Sequence, residues 1–66
     1  MQVVINGERK DLAAGVTVRA LLAELGIFEG RVAVEVNRDI VPKAQYDTHT
    51  IHDADSIEIV HFVGGG

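Results

Sequence analysis

The sequence predicts a small α+β domain: a mixed four- to five-stranded sheet with one helix packed on one face, and a flexible glycine tail. Three observations lead there. The chain is 66 residues long, enough for one domain with one core. Apolar and polar residues alternate in several short runs separated by turn residues, the pattern of half-buried strands. Only one run, residues 18–25, spaces its apolar residues for a helix.

The elements follow in order. Residues 1–5 alternate, with Met1, Val3 and Ile5 on one face and Gln2 and Val4 on the other. Asn6-Gly7 is the strongest short hairpin signal, because a type I′ turn needs positive φ at both central positions. Residues 8–12 return as an edge strand, polar apart from Leu12 and guarded by charge. Thr17 is placed to cap a helix over 18–25, with Gly26 as its stop. Val18, Leu21, Leu22 and Leu25 form its buried stripe, and Arg19 and Glu24 face water. Phe28, in the loop that follows, is expected to close the bottom of the core. Val32, Val34 and Val36 make a third strand, and Asn37-Arg38-Asp39 turns into a short strand at Ile40-Val41. Pro42 ends that strand, since it cannot donate to a ladder. Residues 43–53 read as irregular, anchored by Tyr46 and Ile51, and Asp53-Ala54-Asp55 as a turn. The last strand spans 56–63 with Ile57 and Ile59 inward. One helix must cover one face of the sheet, as the only element with a long apolar stripe. The first and last strands then lie parallel at its centre.

Composition narrows the function. The chain has no cysteine, which removes disulfides and thiolate metal sites and suits the cytoplasm. No apolar stretch is long enough to span a bilayer, and no signal pattern opens the chain. Net charge is −4 with six scattered basic residues, which argues against nucleic acid. A chain this short has no room for a core and a deep substrate pocket. It reads as a partner-dependent module, not an enzyme.

The ordered set of Asn6-Gly7-Glu8, Thr17-Val18, Leu21-Leu22, Val32-Ala33-Val34, Asn37, Ile40-Val41-Pro42 and the run from Asp55 through Phe62-Val63 to Gly64-Gly65-Gly66 resembles the ThiS family. These are sulfur carriers of thiamine biosynthesis with a ubiquitin-like β-grasp fold. The resemblance covers the whole chain, with a β-grasp domain over 1–63 and the tail over 64–66. It implies that an E1-like, ThiF-like adenylyltransferase activates the Gly66 carboxylate with ATP. Sulfur from a donor such as a cysteine desulfurase then replaces AMP, and the thiocarboxylate serves a ThiG-like thiazole synthase. Gly64 and Gly65 thread the partner's channel, which suits residues without side chains. The carrier itself needs no cofactor and no catalytic residue, and is a monomer when free. Two departures stand out. The family commonly has Gly-Asp where this chain has Ala54-Asp55, and Ala disfavours positive φ, so a different turn conformation is expected. It also often has Trp near Tyr46.

Related readings share the tail chemistry: a carrier for molybdopterin synthesis, or a ubiquitin-like modifier of lysines. The molybdopterin relatives tend to be longer, with prolines before the tail. A plain interaction module with inert glycines is the blandest alternative.

Val60 and Phe62 should project from the helix-free face, with Val4 joining them, as a docking surface for partners. His49 and His52 with Asp53 and Asp55 are better read as loop and turn residues than as metal ligands, and His61 as an ordinary strand-end histidine. Glu58 and the two aspartates lack a pocket for acid–base work.

Overall fold

The computed structural model describes residues 1–28 and 31–62. The first two strands, β1 (Gln2–Ile5) and β2 (Glu8–Asp11), pair antiparallel from Gln2↔Asp11 to Ile5↔Glu8. The two residues left between them, Asn6 and Gly7, sit at φ 50° and 83°, as a type I′ turn requires. β2 is exposed throughout and forms one edge of the sheet. Leu12, just past it, is buried, and its N–H and carbonyl both bond to Met1.

Helix α1 (Val18–Glu24) begins where the sequence places it. Thr17 is extended, and its Oγ1 accepts from the Ala20 N–H at 3.1 Å. The helix stops at Gly26, which takes φ 77°. The Gly26 N–H then reaches the Ala23 carbonyl and the Ile27 N–H reaches the Leu22 carbonyl, the two bonds of a Schellman motif. That stop corrects two expectations. Leu25 is the C-cap and lies 39% exposed, so the buried stripe ends at Leu22. Phe28 is 77% exposed and does not close the core; Ile27 packs there instead. The left-handed turn at Gly26 folds Ile27 back toward Leu22 and sends the next side chain outward.

Strand β3 (Arg31–Val36) turns into β4 (Asp39–Ile40) through Asn37 and Arg38, both at positive φ. The short strand thus starts one residue earlier than expected, and Val41 follows it, buried. A single 3₁₀ turn, η1 (Lys43–Gln45), begins after Pro42. It delivers Tyr46, and Ile51 follows; both are buried as expected. Strand β5 (Ser56–Phe62) completes a five-stranded sheet of order β2-β1-β5-β3-β4. β5 is central, parallel to β1 and antiparallel to β3.

The core lies on one face. Val3, Ile5, Val34, Val36, Ile57 and Ile59 meet Val18, Leu21 and Leu22 of the helix, with Tyr46 and Ile51 closing the side. The turn before β5 keeps a left-handed residue despite its Ala. Ala54 sits at φ 70°, a region that costs a residue with a Cβ about 1–2 kcal/mol. Three bonds hold it: Ala54 N–H to the Gln2 carbonyl, Asp55 N–H to the His52 carbonyl, and Gln2 N–H to Asp53 Oδ1. The different conformation expected for this turn is not the one formed, because the surrounding bonds outweigh the strain.

Candidate functional site

The site is the end of β5 and the face beside it. The tail residues Gly64, Gly65 and Gly66, and Val63 before them, lie outside the described residues. What the structure does show is how the strand leading to them is held. On one side β3 pairs with β5 over its length, from Val36↔Ile57 to Arg31↔Phe62. On the other side β1 pairs only at Val4↔Ser56 and Ile5↔Ile57 before turning away.

Asn6 fills the gap that β1 leaves. Its main-chain N–H donates to the Ile57 carbonyl at 2.9 Å. Its side-chain Nδ2 donates to the Ile59 carbonyl at 3.0 Å, and its Oδ1 accepts from the Ile59 N–H at 2.7 Å. The amide stands in for the next residue of a strand that has ended, so one residue serves the hairpin turn and the sheet ladder. Asn37 does similar work at the start of β5. Its Oδ1 accepts from the Ser56 N–H, and its Nδ2 donates to Asp55 Oδ1. The sequence marked both asparagines as turn residues. The second role needs the fold, because each partner is far along the chain.

Alternation along β5 sends Ile57 and Ile59 into the core and leaves Val60 and Phe62 51% and 59% exposed on the helix-free face. Register adds neighbours there. Ala33 is opposite Val60 and Arg31 is opposite Phe62. Ile40, 76% exposed, flanks Glu35 on the same face. Ile40 was missed as a surface residue, though its alternation with buried Val41 was a usable signal. Val4 shares this face but is half-buried and level with Ser56. Four residues along β5 separate it from Val60, about 13 Å at strand spacing, so it does not touch the exposed pair.

The two aspartates before β5 have structural partners. Asp55 is buried, and its two oxygens accept from Asn37 Nδ2 and the His52 N–H. Asp53 caps the Gln2 N–H. His49 and His52 line a shallow depression with Thr48 and Thr50, and among the described residues no group of three or more His, Cys, Asp or Glu is placed to hold a metal. His61 lies on β5 opposite Val32, half-buried. No described helix is long and apolar enough to cross a membrane.

Known proteins share this arrangement. The ThiS family model matches residues 3–66. All 66 residues are 52% identical to a stretch of a thiazole synthase of Paramagnetospirillum magneticum, of which the chain spans only about a fifth (20%). The chain is 35% identical to the sulfur carrier protein ThiS of Escherichia coli, with both covered in full. The crystal structure of a thiamine biosynthesis protein, ThiS, from Geobacter metallireducens superposes with a TM-score of 0.84 at 30% identity, again over the whole of both chains. A mixed five-stranded sheet with one helix, the ubiquitin-like β-grasp, is therefore the fold of both. From the family match and the full-length relative together, this chain belongs to the ThiS family.

Proposed function

We propose that the chain is a sulfur carrier of thiamine biosynthesis whose working group is the carboxylate of Gly66. The observation that carries this reading is the full-length similarity to the Escherichia coli sulfur carrier, joined to a family match that runs to the last residue. A carboxylate is a poor electrophile because its carbon bears a poor leaving group. An E1-like adenylyltransferase would remedy this by joining the carboxylate oxygen to the α-phosphate of ATP and releasing pyrophosphate. A persulfide, formed on a cysteine desulfurase or a similar donor, then attacks the acyl carbon and expels AMP. The new bond joins the outer persulfide sulfur to the acyl carbon. A thiol then cleaves the persulfide's own sulfur–sulfur bond, leaving the thiocarboxylate on Gly66 and a disulfide between the thiol and the donor cysteine. Thiazole synthase is the acceptor. The similarity to one-fifth of a thiazole synthase supports that pairing, since in that relative a stretch like this chain is part of the synthase's own polypeptide.

In this scheme the chain is not the catalyst. Gly64 and Gly65 thread the partner's passage. Val60 and Phe62 meet the partner at the base of the tail, and Val4 lies on the same face farther back. ATP is spent by the partner, and the carrier holds no cofactor. Reconstituted thiazole formation tests the reading. Thiazole product should require the chain and should be lost when Gly66 is deleted. Undiminished product from the chain lacking Gly66 would overturn it.

A further inference from the structure

The register of the central strand sets two carboxylates against each other. Glu35 on β3 is directly opposite Glu58 on β5, and both are exposed. Directly opposed Cβ atoms in an antiparallel pair lie about 4.5–5.5 Å apart, and like charges there destabilise the sheet. Their neighbours do not relieve this. Across from Glu35 on its other side is Ile40. Beyond Glu58 on its other side β1 has ended, and the Asn6 amide occupies the place. The ion pairs recorded among the described residues are elsewhere, at Met1–Asp11 and Arg19–Asp47. On the same face of β3, Arg31 is four residues away, about 13 Å at strand spacing.

The opposed acids are continuous with the exposed apolar strip. The next pair toward the tail is Ala33↔Val60, then Arg31↔Phe62, while Ile40 borders Glu35 on the far side. Among the described residues, this face therefore offers two carboxylates without an ion-pair partner, with apolar groups around them, on a chain of net charge −4. A guanidinium fits such a pair well, because its planar fork can bond two acceptors at once. Apolar cover would strengthen the contact by excluding water.

We propose that Glu35 and Glu58 form the seat for an arginine of thiazole synthase, which docks on the helix-free face and covers Ala33, Val60 and Phe62. The proposal rests on the sulfur-carrier reading and adds the chemistry of the partner's surface. Thiazole synthase is chosen as occupant because a relative joins a stretch like this chain to that enzyme in one polypeptide.

The test is calorimetric binding of the chain to purified thiazole synthase from the same genome, at low and at raised salt. The double variant Glu35→Gln/Glu58→Gln should bind about tenfold more weakly at low salt, as expected when an interfacial cation loses its charged partners. Its affinity should also depend less on salt than the wild type's. Glu24→Gln, an exposed acid on the helix, should bind as the wild type does. The double variant should melt at or above the wild-type temperature, because a repulsive pair has been removed. Unchanged binding of the double variant would overturn the proposal. So would an equal loss with Glu24→Gln, a loss that follows a lower melting temperature, or a loss seen only with the adenylating enzyme. Phe62→Asp separates the two claims: if it abolishes binding while the double variant binds normally, the arginine seat fails and the carrier reading stands. If the wild-type chain does not bind the synthase at all, the pairing and the seat fail together.

Discussion

Replacing Asn6 with Gly isolates the side-chain amide that holds the tail-bearing strand. Glycine adopts φ 50° without strain, so the hairpin turn is kept and only the amide is lost. Two hydrogen bonds go with it, the 3.0 Å bond to the Ile59 carbonyl and the 2.7 Å bond from the Ile59 N–H. At about 1 kcal/mol net for each, the loss is about 2 kcal/mol. The added freedom of glycine in the unfolded chain raises it by up to roughly 1 kcal/mol. A chain this size holds only roughly 3–10 kcal/mol in total, at about 0.05–0.15 per residue. The melting temperature should therefore fall by roughly 8–24 °C, followed by circular dichroism. Amide exchange gives the local readout. Ile59 should lose protection more than Ile51, whose N–H bonds to the Val16 carbonyl away from the substitution. Asn6→Asp keeps the acceptor for the Ile59 N–H but sets a carboxylate against the Ile59 carbonyl, so it should not restore full stability. A fall of less than about 3 °C for Asn6→Gly, well below the expected range, with Ile59 protection unchanged, would refute the role given to the amide.

Other substitutions test other parts of the account. Ala54→Gly relieves a residue at φ 70° and should raise stability by about 1 kcal/mol in chemical denaturation, the strain relief being partly offset by unfolded-state entropy. Leu21→Ala empties a side chain that is 1% exposed and should cost about 2–5 kcal/mol, enough to unfold much of the population at 37 °C. Phe62→Asp changes a residue 59% exposed; it should weaken binding to thiazole synthase while stability moves by no more than about 0.5 kcal/mol. Unfolding of that variant would show that Phe62 supports the core.

Much of the fold was legible because local signals and the global pattern agree. Asn6-Gly7, Thr17 and Gly26 each mark a boundary through their own backbone chemistry, and the structure uses all three. Alternation placed Ile57 and Ile59 inside and Val60 and Phe62 outside correctly. Leu25 and Phe28 misled for one reason. Apolar character was read as burial, yet a helix of seven residues stopped by a left-handed glycine cannot turn either toward the sheet. Ala54 misled differently: propensity argued against positive φ, and tertiary hydrogen bonds overrode it. The Glu35–Glu58 opposition and the Asn6 amide bonds were out of reach. Both depend on strand register, and periodicity sets which face a residue takes without setting what stands opposite it.

The central claim, that the terminal carboxylate carries sulfur, is tested most directly by weighing the intact protein. The chain is incubated with its adenylyltransferase, ATP and a sulfur donor, in a reaction shown to be competent with an established ThiS carrier. The account expects a mass gain matching one oxygen exchanged for sulfur, absent when Gly66 is deleted. An unchanged mass under those conditions would contradict it.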